Sequence, residues 1–141
     1  MITALWDAAR TTVWENILTQ AGIIAPVLRD DYTQAAAYVR DLEPHAHAGI
    51  RLCVPPALQP HLLASTAFSL HTDTVFDAPP TPDSKKELAH WLTHVRQGLT
   101  HHACPYPLLR AYRHTLASHG LDATWMLRLA DAADTGQSDL R

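Results

Sequence analysis

Ten prolines divide a chain whose intervening segments are apolar at helical spacing, and this punctuation constrains the fold most. Proline lacks an N–H and clashes with the preceding turn, so it opens or stops helices instead of continuing them. Residues 4–19 carry Leu5, Trp6, Val13, Trp14, Ile17 and Leu18 at amphipathic-helix spacing, and Gly22 is placed to stop that helix. Pro26 opens a second helix, with Leu28, Tyr32, Ala36, Val39 and Leu42 on its apolar face. Pro44 breaks it, and a short helix follows over 45–53. Pro55-Pro56 turns the chain into its longest apolar stretch, 57–77, carrying Leu58, Leu62, Leu63, Ala67, Phe68, Leu70, Val75 and Phe76.

The segment Ala78-Pro79-Pro80-Thr81-Pro82 ends that stretch, and Asp83 or Ser84 can cap a helix over 84–102. Its stripe is Leu88, Trp91, Leu92, Val95 and Leu99. Pro105 and Pro107 precede a helix over 107–118, with Leu108, Leu109, Tyr112 and Leu116, which Gly120 closes. Asp122 or Thr124 can start a last helix from Trp125 to about 133, and residues 134–141 are expected to fray. No segment alternates as a strand does, and no internal repeat occurs. The expectation is an all-α bundle of six or seven helices.

At 141 residues the chain is long enough to bury one core of its own, and 47% apolar against 18% charged residues is a globular composition. Eleven Lys and Arg against fourteen Asp and Glu give a net charge of −3, which argues against a nucleic-acid footprint. Ten histidines make charge sensitive to mild acid. The two cysteines, Cys53 and Cys104, form neither a Cys-x-x-Cys pair nor a disulfide framework. Cys53 sits among apolar residues and is expected in the core. The N-terminus lacks a cationic start, so no signal peptide is expected, and a reducing cytoplasm fits. No window approaches the roughly 20 apolar residues a membrane span needs.

The chemistry points to Asp73 and Asp77. At i,i+4 they share one face of a helix. Like charges repel there, and the C-terminal end of a helix dipole disfavours anions by a few tenths of a kcal/mol. The same pair suits Mg²⁺, which takes one or two carboxylates and fills its other positions with water and substrate phosphates. His71 can orient a phosphate or simply pack, and Arg40 and Arg51 are candidates for phosphate contact. His90 and His94 have metal-binding spacing, but Trp91-Leu92-Thr93 between them lacks the glutamate of a hydrolytic zinc motif. His45, His47, His101 and His102 could join them only if the fold brings them together. Trp6, Trp14, Trp91 and Trp125 read as packing residues, as do Tyr32 and Tyr38. No Gly-x-Ser-x-Gly elbow and no glycine-rich phosphate loop occurs.

The run Val54-Pro55-Pro56-Ala57-Leu58-Gln59-Pro60-His61, followed by Ala64-Ser65-Thr66-Ala67-Phe68 and then Asp73 and Asp77, resembles the squalene/phytoene synthase family. There a Leu-Pro-Pro turn leads into a helix reading Ala-x-x-Ala-Phe and ending in Asp-x-x-x-Asp. Ala21-Gly22-Ile23 and Leu28-Arg29-Asp30-Asp31-Tyr32 look like that family's first helix. Leu108-Leu109-Arg110-Ala111 and His119-Gly120-Leu121 look like its Pro-Val-Leu-Arg-Ala and His-Gly-Leu segments. The likeness covers about residues 21–140, leaving 1–20 as an extra N-terminal helix of a single domain.

The resemblance implies half of an all-α isoprenoid-synthase fold, with Mg²⁺ held at Asp73 and Asp77 and an allylic isoprenoid diphosphate as substrate. Three departures stand out. The second aspartate helix belongs beyond residue 141; Asp131 and Asp134 fall before its place. Leu70 stands where the family carries a diphosphate-binding Arg. Ala46-His47 replaces a Ser/Thr-Phe/Tyr pair. His47, Arg51 and His71 are then the candidate substrate contacts. The expected function is that of a subunit of a split prenyltransferase, active only with a second protein subunit or as a homodimer. The alternative is a non-catalytic accessory or degenerate relative that binds a partner.

Overall fold

A computed structural model describes residues 13–100, 104–124, 127, 128 and 131. Among the described residues the chain is helical, without strands: α1 over residues 13–20, α2 Pro26–Leu42, α3 Pro44–Cys53, a 3₁₀ turn Pro56–Leu58, α4 Gln59–Asp77, α5 Pro82–Thr100 and α6 Pro107–Ser118. Helical backbone resumes at Thr124, where Asp122 Oδ1 accepts the Thr124 N–H at 2.9 Å. The expectations for Trp6, Trp125, His101, His102, Asp134 and the frayed end lie outside the described residues.

The proline punctuation works as the sequence implies. Pro26, Pro44 and Pro107 each occupy the first helical turn, where the missing N–H costs nothing. Pro44 therefore starts α3 as well as stopping α2. Two helices end in the same glycine device. Gly22 lies at φ +80°, with its N–H donating to Thr19 O and the Ile23 N–H to Leu18 O. Gly120 repeats it at φ +62°, with Gly120 N–H to Ala117 O and Leu121 N–H to Leu116 O. This is the Schellman arrangement, in which a left-handed glycine satisfies the last carbonyls.

The start of α5 departs from expectation. The cap is Thr81 rather than Asp83 or Ser84: Thr81 Oγ1 accepts the Ser84 N–H at 3.1 Å, and Ser84 Oγ accepts the Thr81 N–H at 2.8 Å. That reciprocal pair is a capping box with serine in the place usually held by glutamate, and it lets Pro82 be the first helical residue.

The core is built on α2, α4 and α6. Tyr32 meets His61 and Tyr38 meets His71, so α2 and α4 run parallel; α6 returns antiparallel, with Thr115 beside His61 and Tyr112 stacked on Phe68 at 4.1 Å. α5 packs back along α4 through Trp91, Leu88 and Leu92. Tyr32, Val39, Leu63, Ala67 and Leu109 are fully buried.

Burial corrects several apolar readings, Val13 at 51% exposed among them. Cys53 is exposed, not a core side chain. α3 is ten residues long and buries only Ile50, so its end reaches past the core. Leu42 is 50% exposed at the tip of α2, while Leu58, Leu62 and Phe76 of the long apolar stretch also face outward.

Candidate functional site

The buried face of α4 is Leu63, Ala64, Ala67 and Phe68. At about 100° per residue, Asp73 lies about 150° and Asp77 about 110° from the centre of that face, so the pair runs from the outer side of the helix to its flank, and both are exposed. They are one turn apart, and neither makes a hydrogen bond or ion pair with any described residue. The same outward side carries Leu62, Thr66 and Ser69. An acidic pair thus ends a solvent-facing, partly apolar strip of helix.

His71 does not join the aspartates. Two residues from Asp73, it points to nearly the opposite side. There its Nδ1 lies 3.1 Å from the Tyr38 hydroxyl and its ring meets Trp91 edge-on at 4.3 Å. Burial lowers its pKa, partly countered by the Glu87 carboxylate. A neutral imidazole braced by two aromatic residues positions α4 between α2 and α5. Trp91 Nε1 donates to Thr72 Oγ1 at 3.1 Å and completes that brace.

His47 and Arg51 lie one turn apart on α3. The Arg51 guanidinium sits 5.0 Å above the Trp14 ring, a cation–π contact, and burial lowers its pKa. Burial also lowers the pKa of His47, helped by the charges of Arg51 and Arg40. The three form a basic cluster at the junction of α2 and α3. No hydrogen bond or ion pair links it to Asp73 or Asp77. Arg40 is exposed and pairs with Asp41 at 3.4 Å.

The α4 entry is held by Gln59, whose Nε2 donates to Val54 O at 2.8 Å and Arg51 O at 3.3 Å. Its Oε1 is buried without a partner. Sequence reasoning missed this residue because glutamine carries no strong burial signal.

A second missed feature orders the far side of α4. The Tyr32 hydroxyl lies 2.7 Å from Thr115 Oγ1 and 2.8 Å from His114 Nδ1, and His61 Nδ1 lies 3.0 Å from the same threonine oxygen. Burial raises the Tyr32 pKa and lowers those of His61 and His114. His119 packs edge-on against His61 at 4.5 Å. This polar knot ties α2, α4 and α6 together. Among the described residues, no three His, Cys, Asp or Glu side chains converge as a metal site.

Of the departures noted above, Leu70 packs against the main core cluster. Asp131 pairs with Arg96 at 2.9 Å. No helix among the described residues is long and apolar enough to cross a membrane.

An all-α bundle with a carboxylate pair at the end of one helix is consistent with the isoprenoid synthase class. A family model described as squalene/phytoene synthase matches residues 47–141, more than half of the chain. The chain belongs to the squalene/phytoene synthase family. No curated protein matches the sequence.

Proposed function

We propose that this chain is the first-aspartate half of a squalene/phytoene-synthase-like prenyltransferase, and that a second polypeptide completes the site. The observation that carries this reading is the placement of Asp73 and Asp77: both exposed, one turn apart near the end of α4. Oxygen-only donors one turn apart suit Mg²⁺, which needs few protein ligands and keeps several waters. When bound, the ion would neutralise charge on a departing diphosphate.

The remaining roles belong to the chain's own residues. Asp73 and Asp77 fix where the charged end of an allylic diphosphate sits. Leu62 and Phe76, partly exposed on the same helix, offer apolar surface to a prenyl chain or to a covering helix. His71, Tyr38 and Trp91 hold the helix bearing the aspartates in place. His47 and Arg51 supply positive charge that can attract the diphosphate from the α3 side.

The replacement of a diphosphate-binding Arg by the core-packed Leu70 favours a second reading, a partner-binding relative without turnover. Titration of the chain with inorganic diphosphate, with and without Mg²⁺, separates the two. The first reading expects Mg²⁺-dependent binding that disappears in Asp73→Ala/Asp77→Ala. Binding that ignores both Mg²⁺ and the double substitution overturns it.

A further inference from the structure

We infer that His90 and His94 form a two-nitrogen clamp for a borderline divalent cation such as Ni²⁺ or Cu²⁺, separate from the oxygen site at Asp73 and Asp77. The two histidines lie one turn apart on α5, and their Nε2 atoms share a hydrogen bond of 2.9 Å, which a metal ion would replace with both rings in the Nδ1–H tautomer. Metal–imidazole bonds are about 2.0–2.1 Å long, so two nitrogens at right angles around one ion stand about 2.9 Å apart, against about 3.3 Å in a tetrahedron. The hydrogen-bonded pair therefore already stands at the separation of adjacent ligands on a tetragonal ion, the geometry preferred by Cu²⁺ and Ni²⁺, and such an ion could take the place of the shared proton without moving α5.

One of the two rings is held by the core. His94 packs edge-on against Tyr106 at 4.5 Å, and Tyr106 in turn meets Trp91 at 5.9 Å. One ligand is therefore fixed by the core side of α5, while the exposed His90 is held only by its contact with His94. Two protein ligands leave the other positions to water or to an incoming donor. Mg²⁺, which prefers oxygen, does not compete for this clamp.

The test is calorimetric titration of the full chain with Ni²⁺ in the presence of excess Mg²⁺, at neutral pH. The clamp predicts a saturable Ni²⁺ site that weakens by about tenfold or more in His90→Asn and in His94→Asn, since losing even an outer-shell partner costs about 10- to 100-fold. Asp73→Asn leaves it unchanged. Circular dichroism of each variant checks that the helices remain. Absence of a saturable Ni²⁺ site, or one whose affinity and stoichiometry are the same in both histidine variants, overturns the inference.

Discussion

Asp31 and Arg110, 79 residues apart in sequence, meet in a two-pronged ion pair. Arg110 Nε donates to Asp31 Oδ2 at 2.9 Å and a terminal nitrogen donates to Oδ1 at 2.7 Å. The carboxylate is 1% exposed, and the guanidinium also reaches Cys104 O at 2.9 Å. One side chain thus fixes α2 against α6 and pins the loop that enters α6. Holding the Asp31 carboxylate raises the arginine pKa further.

Removing Arg110 leaves a buried carboxylate without its charge partner. Arg110→Ala is expected to destabilise the chain by about 3 kcal/mol, the lower end of the range for broken buried pairs because the arginine is 30% exposed. Asp31→Asn keeps one acceptor and should cost less. Urea unfolding followed by circular dichroism measures both.

The histidines make stability fall in acid. His47, His61, His71, His94 and His114 all have lowered pKa values in the folded chain, in each case through burial first. The unfolded chain then binds protons more readily than the folded one. These groups contribute fully above the unfolded value near 6.5, and the contribution is lost as pH falls below it through the folded values. The melting temperature should hold between pH 8 and 7 and drop between about pH 6.5 and 5. His61→Gln should flatten that drop.

Gly22 stands at φ +80°, and a Cβ there would meet nothing within 4 Å. The cost of Gly22→Ala is therefore backbone strain alone, about 1–2 kcal/mol. Gly22→Asn should recover part of it, because asparagine tolerates the left-handed region. Thermal melts of the two variants check the order.

The sequence announced the fold through its breaks. Pro26, Pro44 and Pro107 mark helix starts because each needs only a local rule, and Gly22 and Gly120 mark ends for the same reason. What it hid is non-local. Cys53 looks apolar in context, yet whether it is covered depends on how far α3 overhangs the bundle. Tyr32, His61, His114 and Thr115 belong to three different helices, and no spacing rule joins them. The candidate site divides in the same way. The i,i+4 relation puts Asp73 and Asp77 on one face and His71 on the other, while the cluster of His47, Arg51 and Arg40 needed the α2–α3 packing to appear.

On the proposed function, Asp73 and Asp77 serve a site completed by another chain. The most direct measurement is native mass by light scattering on protein co-expressed with its genomic neighbours, followed by turnover of allylic diphosphates with Mg²⁺. The expected result is a stable one-to-one complex with a second helical chain, whose turnover is abolished by Asp73→Ala while its mass is unchanged. A monomer that recruits nothing, or a complex that turns over equally well with Asp73→Ala, would contradict it.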